Sequence, residues 1–198
     1  MGKKMIYYFD TEQSHFDVFR VVKRVLKDSS VEAKANFEAY GLRTLPPKDR
    51  LFLIEQKIYY TDSLGIVVID GVRDLVSDIN SPEEATFVSS KLLKWSQEIH
   101  IHIIVVLHQN KGDNNARGHL GTEIVNKAES VISVEKDNEV SLVKPVFLRG
   151  KDFEPFGFSI DAAGMPYFLE DYSDNKGKQK GKINCLRYSR RNTFQSII

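Results

Sequence analysis

Gly65-Ile66-Val67-Val68-Ile69-Asp70-Gly71 is the stretch on which the fold turns. Four apolar residues, all β-branched, run straight into an aspartate. Such an unbroken run predicts a central strand buried on both faces. An acid at its end lies at the carboxyl edge of a parallel sheet, where open α/β folds bind ligands. The construction recurs before and after it. Ile6-Tyr7-Tyr8-Phe9 runs into Asp10-Thr11-Glu12-Gln13, and Ile103-Ile104-Val105-Val106-Leu107 runs into His108-Gln109-Asn110. Three strands that each deliver polar groups at their exit predict a shared functional edge. One strand alone would carry little, because many such acids only cap the following turn.

Between these strands the apolar period changes. Phe16, Phe19, Val22, Val25 and Leu26 fall on one helical face. Phe37 to Arg43 reads as a short strand with a turn at Gly41, and Leu51, Ile54 and Ile58 mark a helix opened by Pro46-Pro47. Ser81-Pro82-Glu83-Glu84 is a helix start, with serine at the cap, proline at the first position and glutamate at the third. Val88, Leu92, Trp95 and Ile99 then line that helix's buried face, and Leu120, Ile124, Val125 and Ala128 give a short one. Segments 130–135, 142–148 and 155–160 read as strands with no helix between them. The expected fold is α/β: a mainly parallel sheet flanked by helices, reached by right-handed crossovers, with an antiparallel C-terminal strand extension.

Composition narrows the function. The 198 residues suit one domain with a substantial core. A formal net charge of +1 gives the whole chain no bias toward nucleic acid or membrane. Cys185 is the single cysteine, which excludes an internal disulfide and fits a reducing compartment. The apolar runs are too short to span a bilayer, and Met1-Gly2-Lys3-Lys4 leads at once into the first strand without a signal peptide. The expected location is the cytoplasm. Charge is uneven: residues 171–198 carry seven Lys/Arg against two Asp, leaving 21 basic and 25 acidic residues elsewhere. This tail reads as flexible, either touching phosphates or simply solubilising the end.

The ordered set of sheet-edge motifs resembles the RecA-like P-loop ATPase core. Within it, the nearest branch is that of DnaB-type and plasmid RepA-type replicative helicases, including ATPases of mobile elements. The resemblance covers residues 4–160, within a domain spanning 1–170. It implies a role for each motif. Tyr8-Phe9-Asp10-Thr11-Glu12 resembles the strand whose glutamate polarises the attacking water, so Glu12 would be the catalytic base. Val67-Val68-Ile69-Asp70 resembles the Walker B strand, so Asp70 would hold magnesium through water. Leu107-His108-Gln109-Asn110 resembles the strand that senses the γ-phosphate, which assigns that role to His108 and Gln109. Phe147-Leu148-Arg149-Gly150-Lys151 resembles the segment from which a neighbouring subunit supplies a basic finger, Arg149 or Lys151. Arg117-Gly118-His119-Leu120-Gly121 resembles a loop facing nucleic acid, where Lys111, Arg117 and Lys127 would meet phosphates. The implied partners are further copies of the chain and DNA, and the implied cofactors are ATP and magnesium.

One motif of that family is absent. Gly-x-x-x-x-Gly-Lys-[Ser/Thr] cradles phosphates with backbone N–H groups and a lysine. Gly177-Lys178-Gln179-Lys180-Gly181-Lys182 has the wrong spacing and no hydroxyl residue after Lys182. The resemblance therefore implies a core without its first strand, phosphate loop and first helix, which would not bind ATP tightly alone. Two other readings stay open: a non-catalytic oligomeric module that binds nucleic acid, and a metal-dependent nuclease using Asp10, Glu12 and Asp70. His100, His102, His108 and His119 suggest zinc only weakly, since no cysteine or carboxylate lies close by in sequence.

Overall fold

The structure, a computed structural model, describes residues 4–28, 36–108 and 118–169. These form two compact units, one ending at Ala128 and the other beginning at Glu129.

The first unit alternates strand and helix. Its elements are β1 (Met5–Asp10), α1 (His15–Asp28), β2 (Phe37–Gly41), α2 (Pro47–Tyr59), β3 (Leu64–Asp70), a 3-10 turn (Val72–Leu75), α3 (Pro82–Ile99), β4 (His102–Val106) and α4 (Gly118–Lys127). The four strands form one parallel sheet in the order β2-β1-β3-β4. Residues Ile66 to Ile69 build β3 as the apolar run predicts. The start of α3 also follows its sequence signal: the Ser81 hydroxyl accepts the Glu84 amide at 3.2 Å, with Pro82 opening the helix. The α3 helix stops at His100, which adopts the left-handed conformation (φ 55°) and releases the chain into β4.

The core lies on one face of this sheet. Tyr7 and Phe9 of β1 and Val67 and Ile69 of β3 pack with Ile54 and Ile58 of α2 and with Val88 and Trp95 of α3. Burying each such side chain is worth roughly 1.5–3 kcal/mol. The other face differs from the expectation of burial on both sides. Ile66 and Val68 are only half-buried, and Ile104 and Val106 of β4 remain 42% and 39% exposed. The reason is that α2 and α3 both supply the Val67–Ile69 side, and β4 pairs with β3 alone among the described strands. A sequence suited to a central strand thus sits at an edge.

The α1 stripe also departs from the usual pattern. Val18 is buried, while Phe16 and Phe19 are exposed, with Arg20 and Lys23 lying over their rings. The helix rests on the sheet through the opposite side of its apolar arc.

The second unit is an antiparallel sheet of four strands in sequence order: β5 (Ser130–Asp137), β6 (Val140–Leu148), β7 (Phe156–Ile160) and β8 (Pro166–Leu169). The first three are the strands expected from sequence; β8 is an addition. The antiparallel strands pair among themselves as a separate sheet. The tail 171–198 lies outside the described residues.

Candidate active site at the carboxyl edge of the parallel sheet

Register brings the strand exits to one level. Asp10 is the partner of Asp70 across β1 and β3, and Asp70 is the partner of Val106 in β4. His108 follows Val106 by two residues, so three polar exits converge.

Glu12 stands on the short connection between β1 and α1, with its side chain 38% exposed. Its Oε2 lies 3.2 Å from His108 Nε2, a contact that reaches across the end of β3. Beneath it, Asp10 is fully buried. Its Oδ1 accepts the amides of Glu12 and Gln13 at 3.0 and 2.7 Å, and its Oδ2 accepts Gln13 Nε2 at 2.7 Å. Tyr8 stands two residues back on the same strand face. Its hydroxyl donates to Asp70 Oδ2 at 2.6 Å and lies 3.1 Å from Asp10 Oδ2. Burial, then the bond to Asp70 and the nearby carboxylate charges, pushes the Tyr8 phenol well above the usual tyrosine range, so it remains a neutral donor.

A second network locks the loops in place. The Thr11 amide donates to Asp70 O at 3.0 Å. The buried Thr11 hydroxyl shares its proton among Asp70 O, Gly71 O and Asp74 Oδ2, at 3.1, 2.9 and 3.1 Å. Arg50, on α2, donates to Leu42 O, Arg43 O and Asp74 O at 3.1, 2.9 and 2.9 Å. Its guanidinium also lies 3.6 Å from Asp74 Oδ2. The exits of β1, β2 and β3 are thereby tied to one another. Gly71 makes the close approach possible. It has φ +95°, and a Cβ there would lie 2.2 Å from Thr11 Oγ1 and 2.8 Å from Glu12 Cγ.

Glu12, Asp70 and His108, expected to work together, are brought to one edge. Gln109, Lys111 and Arg117 lie outside the described residues. Arg149 and Lys151 are exposed on the β6–β7 connection of the second unit, where the Arg149 amide donates to Glu129 O at 3.1 Å. Lys127 Nζ is engaged by Glu123 Oε2 and Ser89 Oγ, both at 2.8 Å, rather than presented alone. Among the described residues, no group of three His, Cys, Asp or Glu is placed to hold a metal ion. Tyr8, Thr11, Arg50 and Asp74 are site residues that sequence reasoning missed. For Tyr8 a signal existed: a period of two puts it on the face shared by Asp10.

The donor set suits half of a magnesium–nucleotide site. Magnesium takes one or two carboxylates, keeps several waters and draws its other ligands from phosphates. Asp70, oriented by Tyr8, can serve as such a carboxylate, and Glu12 is exposed enough to meet a water. The phosphate-cradling half is not found among the described residues, since α1, α2 and α3 open on Ser14, Pro46 and Ser81, not on a glycine-rich loop.

This architecture is the RecA-like ATPase fold. The chain is similar to the solved structure of a helicase ATPase domain, with a TM-score of 0.58 and 12% identity, covering 84% of this chain and 75% of that one. It is also similar to the crystal structure of the RadB recombinase, with a TM-score of 0.57 and 15% identity, covering 81% of this chain and 77% of that one. No family model matches the sequence, and no curated protein matches it. At these identities the likeness carries the fold.

Proposed function

We propose that the chain is the ATPase domain of a helicase-type protein that handles DNA in replication or mobilisation. In this reading it couples magnesium-dependent ATP hydrolysis to nucleic-acid movement. The observation that carries the proposal is the meeting of Glu12, Asp70 and His108 at one edge of a RecA-like parallel sheet. Phosphoryl transfer asks mainly for positioning and charge stabilisation. Asp70 would hold the metal through water, Glu12 would orient the attacking water, and His108 with Gln109 would sense the γ-phosphate. Arg149 or Lys151 would complete a neighbouring subunit's site.

Hydrolysis in this reading needs a phosphate loop that the described residues do not contain. The place for it is the free side of β4. That edge carries unpaired backbone groups, and Ile104 and Val106 are apolar yet well exposed. A strand that added there and led into a glycine-rich loop would bring its phosphate site beside Asp70. The nuclease reading loses support at Asp10. Its two oxygens are turned into the protein and occupied by donors from Glu12, Gln13 and Tyr8. The test is to fuse a strand, phosphate loop and helix ahead of Met5 and measure phosphate release from ATP with magnesium. Hydrolysis abolished by Asp70→Asn supports the proposal. A chain that binds DNA but never hydrolyses ATP would be the non-catalytic module instead.

A further inference from the structure

Asp10 shares the functional edge with Glu12 and Asp70, yet the chemistry above leaves it no step. It is fully buried, and its oxygens meet three donors from the segment that carries Glu12: two amides and the Gln13 side chain. The fourth neighbour, the Tyr8 hydroxyl, lies between Asp10 and Asp70. We propose that Asp10 is a positioning residue for Glu12, and that the Tyr8 hydroxyl couples it to Asp70, so that the water-orienting and metal-holding carboxylates are held as one unit. The proposal rests on the ATPase reading of Glu12 and Asp70.

The residue type follows from the donor count. Residues 11–13 leave the sheet before α1 begins, and a carboxylate can accept from every donor aimed at it. An asparagine cannot. With its oxygen toward the Glu12 and Gln13 amides, its NH2 faces Gln13 Nε2 and the Tyr8 hydroxyl. Flipped, its NH2 faces the two amides. Either orientation sets a donor against donors, so Asp10→Asn preserves shape and loses the grip. Asp10 has no free oxygen for a metal, which distinguishes it from Asp70. It acts through Glu12 rather than on substrate.

The first readout uses the full chain and needs no activity. Amide hydrogen exchange at Glu12 and Gln13, followed by NMR, should quicken about 10-fold or more in Asp10→Asn, as expected when a charge-assisted acceptor is lost. The Phe9 amide, in the β1 ladder, should keep its rate. The second readout uses the chain extended by a phosphate loop. Asp10→Asn should lower kcat by about 10-fold to 100-fold, the scale of a misplaced catalytic group, with KM for ATP held. The double variant Asp10→Asn/Glu12→Gln should be no slower than Glu12→Gln alone. Tyr8→Phe should leave both amides protected and raise the magnesium concentration needed for half-maximal turnover. Should Asp10→Asn fail to fold, Gln13→Met withdraws one donor, and the Glu12 amide should still exchange faster. Unchanged exchange at Glu12 and Gln13 overturns the proposal, as does a double variant slower than Glu12→Gln by the full Asp10→Asn factor. An extended wild-type chain that does not hydrolyse ATP overturns the ATPase reading instead, and the exchange experiment still decides whether Asp10 holds the Glu12 segment.

Discussion

Gly71→Ala should be the most damaging single methyl group that can be added to the site. Two effects combine. Gly71 has φ +95°, where an L-residue is strained, and left-handed backbone costs an alanine roughly 1–2 kcal/mol. The new Cβ would also lie 2.2 Å from Thr11 Oγ1 and 2.8 Å from Glu12 Cγ. Thr11 would have to leave a hydroxyl site shared with Asp70 O, Gly71 O and Asp74 Oδ2. Each net hydrogen bond lost costs on the order of 1 kcal/mol. The sum is about 2–4 kcal/mol, a large share of the ~5–15 kcal/mol that holds a typical domain. Trp95 is the only tryptophan and is fully buried in the first unit's core, so its fluorescence in urea reports this unit. The midpoint should fall with m unchanged. Thr11→Ala removes the clashing hydroxyl, so Gly71→Ala should cost about 1 kcal/mol less in that background, a coupling measured by the double-mutant cycle. A Gly71→Ala loss below about 0.5 kcal/mol, the scale of an ordinary surface change, would refute the close packing of the β1 and β3 exits.

Glu55 should set part of the acid limit of stability. Burial works to raise its carboxyl, but the bonds from Lys91 and Trp95 outweigh it and hold the group below its ordinary 4.5. A carboxylate lowered in the fold contributes stability above its unfolded value and loses it as pH falls through the folded one. Tm should therefore drop more steeply below pH ~4.5 in the wild type than in Glu55→Gln, and matching slopes would count against the Lys91–Glu55–Trp95 contact. Ile104→Lys should reduce self-association in sedimentation, because a charge on an edge strand blocks pairing with another chain; an unchanged profile would show that β4 is not the sticky edge. Arg149→Ala should leave folding intact and, in the extended assembly, lower turnover by about 10³-fold or more if it acts as a finger. Mixing it with Glu12→Gln subunits should restore activity, and failure to do so would remove Arg149 from the neighbour's site.

The parallel core was legible because its signals are local. The β-branched runs ending in Asp10, Asp70 and His108 mark strand exits, and Ser81-Pro82 marks a helix start whatever surrounds it. Edge placement of the three polar exits followed from strand direction alone. Burial did not follow, because it depends on what covers a strand. Ile66-Val67-Val68-Ile69 reads as buried on both sides, yet the structure covers Val67 and Ile69 more fully than Ile66 and Val68. The Phe16–Phe19 stripe of α1 is likewise an apolar arc with no cover that the sequence could name. The supporting network was hidden for a different reason. Tyr8 and Asp70 are separated by 62 residues and meet only through the β1–β3 register. Asp74 follows Asp70 by four residues without any helical period, and its meeting with Arg50 depends on how α2 crosses the sheet. The need for glycine at 71 is invisible until Thr11 is placed beside it.

The central claim is that this edge hydrolyses ATP once a phosphate loop stands beside it. The most direct measurement is magnesium-dependent phosphate release by the chain extended ahead of Met5 with a strand, phosphate loop and helix, compared with Glu12→Gln and Asp70→Asn in the same background. The account predicts hydrolysis that rises with assembly. Glu12→Gln should bind nucleotide as the parent does and lose turnover, because its amide cannot act as a base toward water. Asp70→Asn should lose its magnesium response, because a neutral amide is a poor magnesium ligand. Hydrolysis that persists undiminished in Glu12→Gln, or an extended chain that binds magnesium-ATP and never turns it over, would contradict it.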